Sequence, residues 1–470
     1  MPYDRFYESG SRGVGEPEFF SPTPSLSDSQ PHSFMRWLLL SCFLALLTGS
    51  ACRSQDRPAQ EALPDSVVVA SPVDPRAAMV DRGAVAMPEP RRRALLKQDS
   101  LWAEALRIHY NAIVLDGHID TPLLMLDEGY RFGARHRTFE SHVDLPRMFD
   151  GGLDAAFFSI YVAPPYGEGQ RATDRARTMI AEVKRQLALH SDSVALAASA
   201  ADVRRLTRSG KKAVLLGLEG GHALAASPEV LAALYDEGIR YVTLTHINTN
   251  AWADASQALP RWNGLNDLGR RLVAAMNRMG MLLDLAHVSD STFYDALAAS
   301  QAPVLVSHSS MRALTPSVRN LDDAMLRALA DNGGVAMINF FDAMVNPHLD
   351  ASVMAEVDRR LPEGQRYNLW NVVYAVKRER GLPGATLDDV LDHLDHAVAV
   401  AGIDHVGLGS DFDGVFDLPA GLEDVARLPH LTYGLLQRGY SEAAIYKILG
   451  GNALRVLEEA EAVAQRLQGE

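Results

Sequence analysis

The sequence predicts a (β/α)8 barrel, a TIM-type α/β fold. Three observations point there. From about residue 112 onward, eight short apolar runs alternate with amphipathic segments. Nearly every run ends in a histidine or a carboxylate, and such barrels build their sites at strand carboxyl ends. An open doubly wound sheet is the alternative, but no GxGxxG opens a helix after a strand and no P-loop occurs.

The amino-terminal hundred residues are of another kind. "MRWLLLSCFLALLTGSAC", starting at Met35, has signal-peptide architecture and is short for a membrane span. Its end, Gly49-Ser50-Ala51-Cys52, resembles a bacterial lipobox, with Gly49 where a Leu-type residue is usual. Residues 1–34 are Ser/Pro-rich and do not suit a position ahead of a signal, so Met35 is read as the true start and 1–52 as dubious leader plus signal. The expected product is exported, lipid-anchored on Cys52 and facing the periplasm or the cell exterior. Residues 53–98, rich in Pro, Ala, Asp and Arg without periodicity, read as a flexible linker.

The barrel domain is expected over 99–466. Its strands are read from "AIVLDG" (112–117), "DAAFFSIYV" (154–162), "AVLLGLE" (213–219), "YVTLTH" (241–246), "MLLDLAH" (281–287), "APVLVSH" (302–308), "GVAMINFF" (334–341) and "HVGLGSD" (405–411). The stretch 342–404 is long for one connection and predicts a helical insertion near 345–385.

The chain has 470 residues, a formal charge of −14 and 47% hydrophobic content, enough for a large core. That charge, without any long Lys/Arg run, argues against a nucleic-acid partner. Its two cysteines, Cys42 and Cys52, both precede the domain, so a metal site must use His, Asp and Glu.

Those residues fall at the run ends: His118 and Asp120, Glu219, His246, His287, His308 and Asp411. One strand-end histidine means little. Seven ionisable groups at one end of a barrel carry a desolvation and repulsion cost that a divalent metal offsets. His and carboxylate without thiolate suit zinc or a similar ion, and a Glu can bridge two. His118 and Asp120, two apart on one strand, point to the same side. Three other features are set aside. "HVD" (142–144) reads as a loop or helix start, "DHLDH" (392–396) as a solvated helix face, and His222 as support for a ligand.

These blocks resemble the membrane (renal) dipeptidases among the metal-dependent amidohydrolase barrels. The resemblance rests on "LEGGHALAASPEVLAALYDEGIRYVTLTH" (218–246), with "GHIDTP", "LTHINTNAWAD", "DLAHVS", "SHSS" and "GSDFDG" in the same order. It runs from roughly 101 to 462 and implies two Zn2+ per chain. His118 and Asp120 would hold one, His287 and His308 the other, and Glu219 would bridge them. Asp411 matches the proton shuttle, His246 the substrate-carbonyl ligand, and Arg319 in "SVRN" the arginine for the substrate's terminal carboxylate. Arg319 is the weaker match because its flanks differ.

The expected activity is hydrolysis of free dipeptides by a metal-bridging hydroxide, and the resemblance implies that a D-residue is accepted at the carboxyl-terminal position. A deaminase, lactonase or phosphoesterase could use the same metal set, and a non-catalytic binding protein should have lost ligands or base. A homodimer is compatible with the sequence.

Overall fold

The computed structural model describes residues 100–362 and 365–469. The leader, signal, Cys52 and linker readings all lie outside the described residues, as do Cys42 and Met35.

Among the described residues nine strands occur in order: β1 (Val114–Ile119), β2 (Leu153–Tyr161), β3 (Val194–Leu196), β4 (Lys212–Glu219), β5 (Ile239–Thr243), β6 (Leu282–Asp284), β7 (Leu305–Ser309), β8 (Val335–Ile338) and β9 (Val406–Leu408). All pairings between them are parallel, in the order β2-β1-β9-β8-β7-β6-β5-β4-β3. Closure comes from β2 lying along β4, from Ala155↔Ala213 to Tyr161↔Glu219. Eight strands therefore close a barrel, and each arises from one of the apolar runs. The strand that periodicity missed is β3. It covers the first residues of β4 (Val194↔Lys212 to Leu196↔Val214), ahead of β5 on the same strand, and is too short to carry a pattern of its own.

Local signals set the helix ends. Asn266 caps Asp267–Met279 by accepting the Gly269 N–H, Ser289 caps Asp290–Ala299, and Asp322 caps Asp323–Asn332. Each helix lays an apolar stripe on the strands, as Leu272, Val273 and Met276 do in the first of these.

Leu115, Phe157, Leu215, Tyr241, Leu282, Leu305, Val335 and Met337, drawn from seven strands, pack together in the barrel. The Tyr241 ring fits only because position 217 is glycine, since a Cβ there would overlap its ring atoms. This packing floor sets the height of the polar groups above it.

Between β8 and β9 the chain forms helices Ala351–Arg360 and Leu369–Arg380. Val353, Val357, Leu369, Val373 and Val376 from these helices make a separate cluster with Phe341, against which Val318 and Val415 pack. Lys377 ties it down, its Nζ 2.6 Å from Asp342 Oδ2 and 3.0 Å from Asp417 Oδ2.

Candidate metal centre

His118 lies in β1 and Asp120 just after it, leading into the helix Thr121–Asp127. Glu219 ends β4, His308 lies in β7, and His246, His287 and Asp411 follow β5, β6 and β9 by three residues. Ligand atoms of these seven residues fall into three overlapping groups, each within 4.8 Å: His118/Asp120/Glu219, Glu219/His246/His287 and His118/His308/Asp411. All seven expected residues converge. Six are buried, and Asp411 alone is partly open.

Glu219 stands at the centre. Its Oε2 faces His118 Nε2 at 3.3 Å, while its Oε1 faces His287 Nε2 at 3.2 Å, His308 Nε2 at 3.7 Å and His246 Nε2 at 3.8 Å. The two oxygens thus serve different ligand sets. Asp120 Oδ2 lies 3.3 Å from His118 Nε2. Burial opposes ionisation of Glu219, but His118, His287 and His246 hold its carboxyl well below the usual range.

Hydrogen bonds beneath the site fix which imidazole nitrogen faces it. Ser307 Oγ donates to Asp284 Oδ2 at 2.6 Å and lies 2.7 Å from His308 Nδ1. Its single proton goes to the carboxylate, so His308 Nδ1 carries the hydrogen and Nε2 presents a lone pair. Asp284 also accepts from Thr243 Oγ1, at 2.6 Å. His118 Nδ1 shares a 2.7 Å hydrogen bond with Tyr241 Oη, which leaves Nε2 toward the carboxylates.

The donor set fits a metal. His118 Nε2 and Asp120 Oδ1 are buried with no hydrogen-bond partner among the described residues, and three carboxylates crowd together among four imidazoles. Nitrogen and oxygen donors without sulfur match zinc or a comparable divalent ion.

Asp411 sits in a strained loop. Its φ is 65° and that of Asp413 is 68°, a left-handed conformation costing roughly 1–3 kcal/mol at non-glycine residues. Asp413 is braced by Thr121 Oγ1 at 2.5 Å, by the His142 N–H, and through its own N–H to His142 Nδ1 at 2.9 Å. His287 is also left-handed, with φ 66°. The Asp411 carboxyl is pushed up to about 7 by desolvation, with Asp120 and Glu219 adding to the effect.

Arg319 is buried beside the cluster, its Nη2 donating to the His308 carbonyl at 3.3 Å. Tyr161 packs edge-on against His246, with ring centroids 4.8 Å apart.

The residues set aside also resolve. Asp144 caps the helix Leu145–Asp150, and His142 braces Asp413, so "HVD" is a helix start that also supports the Asp411 loop. His222 is buried next to Gly220, with the Ala163 and Val162 carbonyls near its ring. The solvated-face reading of "DHLDH" needs correction. His393 is 1% exposed and accepts the Met311 N–H at 2.9 Å, because the helix Leu387–Ala401 turns that side inward. His396 is the outer partner, 2.7 Å from Asp323 Oδ1.

Sequence reasoning missed Tyr241, Asp284, Ser307 and Asn339. Asp284 and Asn339 each interrupt an apolar run, "MLLDLAH" and "GVAMINFF", and that interruption was the available signal.

Comparison with known proteins gives the same result. Residues 102–470 match the family model for membrane dipeptidase (peptidase family M19). Dipeptidase tcpJ of Claviceps purpurea (strain 20.1) is 38% identical over 367 residues, 75% of this chain and 78% of that protein. A crystal structure of the probable dipeptidase PvdM from Pseudomonas aeruginosa superposes with TM-score 0.69 at 26% identity, covering 78% of this chain and 99% of that one. A metallo peptidase from Rhodobacter sphaeroides, solved with a phosphinate mimic of the dipeptide L-Ala-D-Ala, gives TM-score 0.63 at 28% identity over 74% of this chain and 99% of that one. With the barrel and its buried donor cluster, these matches establish that the chain belongs to the membrane dipeptidase family, peptidase family M19, and is a metallo-dipeptidase.

Proposed function

We propose that the protein is a zinc-dependent dipeptidase that cleaves the single peptide bond of free dipeptides and accepts a D-residue at the carboxyl-terminal position. The observation that carries this is Glu219, whose two carboxylate oxygens face separate groups of imidazoles. His118 and Asp120 would hold one ion, His287 and His308 the other, with Glu219 between them. The relative solved with an L-Ala-D-Ala mimic supports the stereochemical part.

When bound, zinc supplies Lewis acidity and water whose pKa falls to about 7, the source of the attacking hydroxide. The chain's own residues do the rest. Asp411, partly open at the cluster's edge, takes the proton of the attacking water on a carboxylate oxygen and delivers it to the leaving amine nitrogen. His246 meets the carbonyl oxygen as negative charge develops there. Arg319 binds the terminal carboxylate, and so measures the substrate as a dipeptide. The seven residues of the cluster all come from one chain, and a homodimer is compatible with that arrangement. Export and a lipid anchor on Cys52 are proposed from the sequence "LLTGSAC" alone.

The test is amino-acid release from L,L- and L,D-dipeptides by zinc-loaded and zinc-stripped protein, each compared with the amidated substrate. Zinc-dependent release that stops when the terminal carboxylate is blocked is expected. Equal cleavage of the amidated forms would remove Arg319 from its role, and no cleavage with zinc bound would point to another hydrolase reaction.

A further inference from the structure

Asn339 directly follows β8 and is completely buried. Its main chain is fastened to the His308 strand: its N–H donates to the Ser309 carbonyl at 3.2 Å, and its carbonyl accepts from Ser310 Oγ at 3.4 Å. The next residue, Phe340, donates its N–H to the Ser410 carbonyl at 3.2 Å, which ties this corner to the Asp411 loop.

The side-chain amide has one orientation available. Its Oδ1 accepts the Phe341 N–H in a short hydrogen bond, so the amine end must point the other way. There Nδ2 donates to Asp411 Oδ2 at 3.0 Å. Asp411 itself hangs from a strained backbone, and a carboxylate can turn about its terminal bond at little cost. The Asn339 contact removes that freedom.

We infer that Asn339 is a positioning residue for Asp411, holding one carboxylate oxygen so that the other is presented to the reacting water and amine. The inference rests on the reading of Asp411 as the proton carrier. A purely structural role is the competing account, because Asn339 also secures Phe341. That ring packs on Trp370, with centroids 5.1 Å apart, and lies 6.0 Å from the ring of Phe416.

The experiment compares Asn339→Ala, Asn339→Asp and Asp411→Asn in the full chain, measuring kcat, KM, bound zinc and thermal stability. Asn339→Asp keeps an acceptor for the Phe341 N–H but has no amide N–H for Asp411. Both Asn339 variants are expected to lose about 10- to 100-fold in kcat, with KM within about twofold and zinc content unchanged. Should Asn339→Ala fail to fold, Asn339→Asp decides. Wild-type kcat in Asn339→Asp, a change confined to KM, or loss of zinc from that variant would overturn the inference. Full activity in Asp411→Asn would instead overturn the reading of Asp411. An inactive Asp411→Asn beside fully active Asn339 variants would reject the positioning role alone.

Discussion

The Nε2 atoms of His287, just past β6, and His308, in the neighbouring strand β7, lie 2.9 Å apart. Because Ser307 keeps the His308 proton on Nδ1, the His308 Nε2 lone pair faces the His287 ring nitrogen and Glu219 Oε1. A cation between these groups would satisfy all of them at once. Chelation is therefore expected to abolish activity and lower the melting temperature. Re-adding zinc at about 1,000 times its Kd should restore roughly 4 kcal/mol of stability, read from thermal melts across a zinc titration. Full activity in protein shown to be metal-free would refute a catalytic metal.

Gly414 closes over the same site. A Cβ at this position would overlap Asp120 Oδ2 and lie 2.5 Å from Asp411 Oδ1. Gly414→Ala should displace one or both carboxylates, at a stability cost of roughly 1–3 kcal/mol, with loss of zinc or of kcat. Zinc content and kinetics together would show which carboxylate moved, and a variant unchanged in both would mean that the loop yields without cost.

Ser307→Ala removes the hydroxyl that links His308 to Asp284. The His308 ring loses its tautomer lock, and Asp284 loses a donor while buried. Zinc affinity should fall about 10- to 100-fold, measured by competition with a chromophoric chelator. Unaltered affinity would show that neighbouring groups alone orient the ring.

His393 makes a prediction in pH. Burial pushes its pKa down to about 3, with the Val345 carbonyl opposing and His396 adding to the depression. In the unfolded chain it titrates near the ordinary value of about 6.5. Between those values the unfolded state binds the extra proton, so the contribution of neutral His393 is complete above pH 6.5 and is lost as pH falls. The loss should reach about 2 kcal/mol by pH 5. Urea unfolding of wild type and His393→Asn across this window should differ in slope by about 1.4 kcal/mol per pH unit. Parallel slopes would mean that His393 is already solvated in the folded state.

All eight barrel strands were legible as apolar runs, because a parallel strand buried on both faces must be apolar along its length. The site was legible for the same reason, since His246, His287 and Asp411 stand out where an apolar run stops. The sequence by itself also determined the donor types, because no cysteine lies beyond residue 52.

What only the tertiary structure decided is the support around those residues. That Gly217 makes room for Tyr241, which reaches His118, depends on strands brought together by barrel closure. The same holds for Asn339 and Asp411, 72 residues apart in the chain. His393 was misread because its helix presents a polar pattern, and only packing against the turn at Met311 shows that this side is buried. Periodicity reports which face of an element is apolar, whereas hydrogen bonds between distant segments are set by how the elements dock, and one chain's pattern does not record that.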